Sequence, residues 1–399
     1  MAMGPSSRNG ILVLLACMIL TLALGSVHAF SIFLDNLEER FDVSRSEVSL
    51  IYSFALASIT VSVFFGHHIY NRLHPVLLLS LIILISSAGC VLSAEAPNLY
   101  IVWLGYSVLF GGANGLGYGF ALQCSAQANP SIKGLSMGCV TATYALGAAL
   151  APVPFEILLN RGGFTLAMNG LAIAMLIISP FVVYLLVKGK AILNVTEPKE
   201  NNIFPRQRWL IVKLWFGYGT AVAAGLMIMG HATGIAKSGN IDDQQVVYAP
   251  IIIALFNMFG SLVGGWFSDK ITIRKSLMAF PALSIASLII ISLFGGSLVT
   301  VCGLALIGFT YGATIVAYPA AVVTLFGVVS GVRVYGRVFT AWGMAGLFAP
   351  WFAGVLFEHF GNYQIALATA ASVGVVSVMI AYSLPTESGN IPDGEVKIY

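Results

Sequence analysis

Charged side chains are scarce in this chain: they make up 9% of its 399 residues, against about 25% in an ordinary soluble domain. So few charges cannot clothe a water-facing surface of this size, which excludes a soluble globular protein and makes the lipid bilayer the expected partner. The net charge of +3 supplies no basic surface for nucleic acid. Cysteine is sparse too. Cys17, Cys90, Cys124, Cys139 and Cys302 all fall inside apolar runs, without metal-ligand spacing or extracytoplasmic pairing. They read as small buried hydrophobes, and no metal site is expected. Also missing are a Ser/His/Asp set and paired central carboxylates, so neither an enzyme nor a cofactor is expected. No cleavable leader is evident: the first apolar run, 11–34, is too long for a signal h-region and lacks a cleavage site.

Hydrophobic residues, by contrast, make up 58% of the chain. A membrane span needs about twenty mostly apolar residues. That ruler predicts twelve helices, near 11–34, 48–70, 75–94, 99–122, 132–158 and 163–187, then 209–236, 246–268, 276–294, 298–326, 331–357 and 363–384. The expected fold is an all-α membrane protein with two six-helix bundles, 1–187 and 209–399, the second ending in a short tail. The polar stretch 188–208 reads as a linker. Its Asn194-Val195-Thr196 triplet matches a glycosylation acceptor but falls on the expected cytoplasmic side. With the N-terminus inside, fifteen Lys and Arg lie in cytoplasmic segments and four (Arg40, Arg45, Arg161, Lys237) outside. This positive-inside bias places both termini in the cytoplasm, in a multi-pass protein of the cell inner membrane.

The halves repeat at a constant offset of 198 residues. Gly105 falls on Gly303, Gly138 on Gly336, Pro152 on Pro350, Gly163 on Gly361, and Asn71-Arg72 on Asp269-Lys270. Parallel six-helix repeats of this kind are the architecture of the major facilitator superfamily. The segment Gly265-Trp-Phe-Ser-Asp269-Lys270-Ile-Thr-Ile-Arg274-Lys275 resembles that superfamily's signature between helices eight and nine. An Asp among bases at a helix end can form an ion-pair latch that breaks when the halves rock. Asp269, Lys270 and Arg274 are therefore gating candidates. So are Asn71 and Arg72 of the degenerate first copy, where Asn replaces the acid.

Finer features resemble the oxalate:formate antiporter and monocarboxylate porter families. They are Leu24-Gly25-Ser26-Val27-His28-Ala29-Phe30, Phe41-Asp42-Val43-Ser44-Arg45, Gly134-Leu135-Ser136-Met137-Gly138, Tyr318-Pro319-Ala320 and Tyr335-Gly336-Arg337-Val338-Phe339. That resemblance covers essentially the whole chain and implies secondary transport of a small organic solute by a monomer. This chain departs from it where the family's oxalate carriers hold an Arg in helix eight and a Lys in helix eleven. Ser261 and Trp342 stand at those positions, and a buried dianion without a cation is prohibitively costly.

An ionisable group inside a span is a functional candidate by default. His28, midway along helix one, can contact solute or take up a coupling proton; a neutral, packed histidine is the alternative. Arg337, a turn into helix eleven, is either a displaced cation for the solute or an interfacial anchor that snorkels. Lys213 reads as an anchor, and Glu156, Glu358 and His359 as residues near outer helix ends. Tyr118, Tyr144, Tyr311 and Trp342 are aromatic solute candidates, with Tyr52 and Tyr318 behind them. Tyr144 and Trp342 are equivalents under the repeat. Gly111, Gly115 and Gly119 share one helix face and suit close helix crossing. The expected function is rocker-switch transport of an organic anion or weak acid, with protons as a coupling ion. Loss of both cations also suits a larger, weakly charged cargo such as a drug or siderophore.

Overall fold

The computed structural model describes residues 8–43, 45–194, 205–239, 241–242 and 248–385. Residues 195–204 of the expected linker, the tail from 386 onward and part of the Asn194 triplet lie outside the described residues. Eleven helical stretches among them are long and apolar enough to cross a membrane. One of these, 130–188, folds back on itself at Gly162–Gly163, where the backbone leaves the helical region and Gly163 takes φ +65°. Asn36 closes that turn by accepting the Phe164 N–H at 2.9 Å. Counted so, all twelve expected spans are present, and no strand occurs among the described residues.

By contacts the chain divides into two units. The first comprises Met1–Ser131 and Cys139–Val195, and the second Ile132–Gly138 and Thr196–Tyr399. Residues 132–138, which open the helix Lys133–Leu150 (span 5), thus group with the second unit.

In the first unit, span 1 starts as an α-helix over Arg8–Leu24 and continues as a nine-residue 3₁₀ helix, Gly25–Phe33. Runs of 3₁₀ longer than three or four residues are uncommon and mark strain or a hinge. Here the departure coincides with a backbone-on-backbone crossing: a methyl group on Gly25 would strike the Tyr144 carbonyl, and one on Gly147 the Leu22 carbonyl. Thr21 pins the same crossing, bonding to the Val140 carbonyl at 3.0 Å and to Thr143 Oγ1 at 2.8 Å. At the far end Arg40 donates to the carbonyls of Ala94 and Ala96 at 3.2 and 2.9 Å, a cation at the C-terminus of the helix Pro75–Ala94 (span 3).

Span 4 is irregular as well. It runs Leu99–Val102, then a π-helical segment Trp103–Phe110, then Gly111–Ala128. The duplication explains the segment. Gly111 and Gly115 press on Ala55 and Ile59 of span 2 (Arg45–Tyr70), whereas Gly308 and Gly312 of span 10 (Ser297–Phe326) press on Ile253 and Asn257 of span 8 (Tyr248–Lys270). Span 2 maps onto span 8 at the offset of 198, but those glycines map at 197. Gly105 and Gly303, upstream, still keep 198. One extra residue therefore lies between Gly105 and Gly111, and a single-residue insertion inside a helix is accommodated as a π turn. The expected close crossing through Gly111 and Gly115 is thus found, one register step away from simple repetition.

Removing the lipid-facing Val108, 52% exposed, should let span 4 adopt the spacing already used by span 10. The expected result is a monodisperse protein by size-exclusion chromatography, melting within a few degrees of the parent. Deleting Leu116 instead shifts Gly117 and everything beyond it, and should leave only aggregate. Aggregation of the Val108 deletion would show that the π segment is not an insertion.

Candidate functional site

The polar centre of the first unit forms around the 3₁₀ segment. His28 Nδ1 lies 2.6 Å from the Tyr52 hydroxyl, and its ring meets Tyr144 edge-on at a centroid distance of 5.3 Å. Tyr52 stacks on Phe30 at 6.0 Å with an interplanar angle of 8°, so its hydroxyl is held at the histidine by ring packing. Tyr144 donates to Asn114 Oδ1 at 2.9 Å, and the Asn114 amide donates to the Leu24 carbonyl at 2.6 Å. Tyr118 packs on Tyr144 at 5.0 Å and lies within 3.3 Å of Thr141 Oγ1. Asn114 and Tyr118 are buried, while His28, Tyr52 and Tyr144 are half-buried. The cluster therefore presents one accessible edge that carries an imidazole and two phenols. Such an edge can donate and accept hydrogen bonds without a fixed charge.

The second unit builds a related pair from different side chains. Trp342 Nε1 donates to the Tyr311 hydroxyl at 2.9 Å, and the indole stacks on Phe339 at 5.1 Å. Tyr311 lies flat against Gly225 of the helix Pro205–Gly230 (span 7), where any side chain would collide with its ring. Arg337, half-buried, sits in the same helix as Trp342, Val328–Phe360 (span 11). Arg333, one turn away, and Arg208 place further positive charge close to it. The Arg337 carbonyl accepts from Thr340, whose hydroxyl in turn accepts from Trp215 Nε1 at 2.8 Å.

Ser261 is fully buried, and its hydroxyl is spent on backbone, donating to the carbonyls of Asn257 at 2.9 Å and Gly312 at 3.3 Å. It serves the crossing of spans 8 and 10. The half-buried polar group at this level is Asn257, one turn earlier. Tyr318, fully buried, packs on Tyr218 at 4.7 Å.

At the expected latch position the structure shows hydrogen bonds from backbone to Asp269. The two oxygens of Asp269 accept the backbone N–H groups of Gly134 and Leu135 at 2.9 and 2.8 Å. A carboxylate at a helix N-terminus meets unpaired N–H donors and the positive end of the helix dipole. The backbones also touch here, since Gly134 and Gly265 leave no room for a methyl group on either. Lys133 and Lys270 add their charge nearby. Arg274 is engaged elsewhere: its Nε donates to the Leu384 carbonyl at 2.8 Å, and its guanidinium lies over Tyr382 at 5.4 Å. Asn71 and Arg72 lie exposed in a turn, with their N–H groups bonded to the carbonyls of His67 and Ile69.

Three polar side chains escape a reading that weighs charged groups and aromatics first. Asn114 and Asn257 are neutral. A polar amide in the middle of an apolar span is the signal that could have flagged them. His231 falls at the break between Pro205–Gly230 and Ala232–Ser238. Its Nε2 donates to the Pro350 carbonyl at 2.9 Å, and Nδ1 lies 3.3 Å from the Tyr363 hydroxyl.

Comparison with known proteins agrees with this geometry. The sequence profile of the Major Facilitator Superfamily matches residues 13–333. The uncharacterized MFS-type transporter YhjX of Escherichia coli (strain K12) is 26% identical, over 86% of this chain and 88% of its own length. The oxalate:formate antiporter of Oxalobacter formigenes is 24% identical, over 73% of this chain and 70% of its own. The proton:xylose symporter XylE superposes with a TM-score of 0.73 at 14% identity, covering 96% of this chain and 98% of that one, a likeness of fold alone.

Replacing Asp269 removes an acceptor that caps a helix it does not belong to. Losing an N-cap costs about 0.5–2 kcal/mol, and a unit of this size melts about 2–4 °C lower per kcal/mol. Asp269→Ala should therefore lower the melting midpoint by several degrees, with Asp269→Asn, which keeps one acceptor, in between. A parental melting curve for Asp269→Ala, recorded in detergent, would contradict this role.

Proposed function

Since the chain belongs to the Major Facilitator Superfamily and is a transporter rather than an enzyme, we propose that its cargo is a small organic anion or weak acid. The reading is of a monocarboxylate-like solute moved by rocker-switch alternating access, with proton coupling through His28. The carrying observation is the accessible edge formed by His28, Tyr52 and Tyr144. It offers hydrogen bonds and one titratable nitrogen in place of the cations absent at Ser261 and Trp342. Among contacts of the first unit we assign His28 and Tyr144 to the solute, with Tyr118 behind them. Among those of the second we assign Tyr311, Trp342 and Arg337. Ser261 contributes packing, because its hydroxyl is already engaged. In this reading Asp269 and Lys270 gate the path, together with Asn71 and Arg72, while Arg274 holds the end of the last helix. The positive-inside bias orients the protein with both termini in the cytoplasm, in the inner membrane. The polar stretch 188–208 links two six-helix halves that work as a monomer.

A second reading keeps the mechanism and enlarges the cargo to a bulky, weakly charged compound. The observation favouring it is Trp342 stacked on Phe339, a broad aromatic surface where the resembled carriers hold a lysine.

Uptake of radiolabelled monocarboxylates into proteoliposomes with an imposed proton gradient tests the first reading. Saturable uptake stimulated by an inward proton gradient is expected, and His28→Phe should cut that stimulation about tenfold. Absence of saturable uptake across a broad carboxylate panel, alongside thermal stabilisation by bulky amphiphiles, would decide for the second reading.

A further inference from the structure

In the first unit the extra residue of span 4 has a consequence for the site. Over Gly111–Gly115 of span 4 the correspondence with span 10 runs at 197, so the counterpart of Tyr311 is Asn114, while Tyr144 and Trp342 on the next helices correspond at 198. Asn114–Tyr144 and Tyr311–Trp342 are therefore the same hydrogen bond made twice, at 2.9 Å in each case. In both, a polar group on the fourth helix of a half fixes the aromatic on its fifth.

In the first half the bond is extended to span 1. Asn114 is fully buried. Having accepted from Tyr144, it donates through Nδ2 to the Leu24 carbonyl, the last α-helical residue before the 3₁₀ segment that carries His28. A carboxamide accepts on oxygen and donates from nitrogen at once, so one side chain joins the two helices. Tyr106, from the π segment, holds the next exposed point by donating to the Val27 carbonyl at 3.1 Å.

We propose that Asn114 is a positioning residue that couples the solute-contacting phenol of Tyr144 to the 3₁₀ segment of span 1, and with it to His28. The inference rests on the solute contacts assigned above. A solute that displaces or reorients Tyr144 acts on one end of the amide. The other end holds the place where span 1 changes helix type, so occupancy at Tyr144 biases the geometry of His28. Asn114 need not touch the solute to set how fast the cycle turns.

Hydrogen–deuterium exchange over residues 25–33, in lipid nanodiscs, reads the coupling without a substrate. Asn114→Leu keeps the branched side-chain shape and removes both hydrogen bonds. It should speed exchange over 25–33 at least tenfold, while the span 3 peptide stays within twofold. Tyr144→Phe removes only the phenol bond and should speed exchange over 25–33 by a smaller factor, about threefold; exchange identical to the parent would break the link between Tyr144 and span 1. For a radiolabelled monocarboxylate that the parent transports, Asn114→Leu should lower the maximal rate about tenfold with KM within twofold. Tyr144→Phe should do the reverse, raising KM with the rate preserved.

Unchanged exchange in Asn114→Leu would overturn the proposal. Should that variant not fold, Asn114→Ala, which adds no bulk, replaces it; failure of both to fold would also overturn it, since Asn114 would then be structural. A parent that carries no acid at all would sink the functional reading and leave the exchange result to decide this one.

Discussion

Hydrocarbon offers no hydrogen bonds, so every backbone carbonyl that leaves the regular α-helical ladder inside a span has to find a donor within the protein. This constraint governs where the fold can be irregular. Span 1 changes to 3₁₀ at Gly25, and the carbonyls flanking the change, Leu24 and Val27, receive side-chain donors from Asn114 and Tyr106. Span 4 is π-helical over Trp103–Phe110, and Ser107, within it, ties that segment to the Ile51 carbonyl at 2.6 Å. In the second half Ser287 donates to the Gly303 carbonyl at 3.0 Å. Asn114, Tyr106 and Ser107 are thus polar groups placed where the backbone departs from a plain helix. The candidate site gathers at the same place because irregular backbone and polar side chains require each other there.

Glycine supplies the complementary half of that design. Lipid provides no hydrophobic drive for one helix to seek another, so association depends on close packing through small residues. Spans 8 and 10 approach until a methyl group on Gly260 would strike the Phe309 carbonyl and one on Gly308 the Ile253 carbonyl. Spans 2 and 4 do the same through Gly111 and Gly115. Contacts this short between backbones are intolerant of register error, which is why an inserted residue had to be absorbed locally as a π turn instead of being spread along the helix.

Periodicity and hydropathy were enough to read the spans, because length and polarity in a bilayer leave few alternatives. The constant offset likewise made the duplication visible through Gly105, Pro152 and Gly163. The same offset misaligned span 4 beyond Gly105, since an insertion inside a continuous apolar run leaves no punctuation to mark it. The presence of His28 inside span 1 was legible, and so was the equivalence of Tyr144 and Trp342 under the repeat. Their partners were not: Tyr52 and Asn114 reach them from other helices, at a distance in sequence that no local pattern encodes. Asp269 stood out as a latch candidate from its basic neighbours. The donors it uses, the N–H groups of Gly134 and Leu135, belong to the backbone, and a backbone donor leaves no trace in residue identity.

The two polar pairs also bear on what the proposed cargo must look like. A carboxylate stripped of water needs a cation, a dense set of donors, or a proton of its own. Trp342 has turned its indole N–H on the Tyr311 hydroxyl, so that donor is already committed. In the first half the Tyr144 proton is committed to Asn114, and one hydrogen is shared between Tyr52 and His28. Donors are therefore few around an edge that still has to hold the cargo, and the permanent cation nearest in sequence, Arg337, stands more than a helical turn from Trp342. An acid that enters such a setting is stabilised far better as the neutral species, or as an ion whose proton rests on His28, than as a bare anion. On the functional reading proposed above, proton coupling then follows from the scarcity of fixed charge, which was the first property the composition displayed.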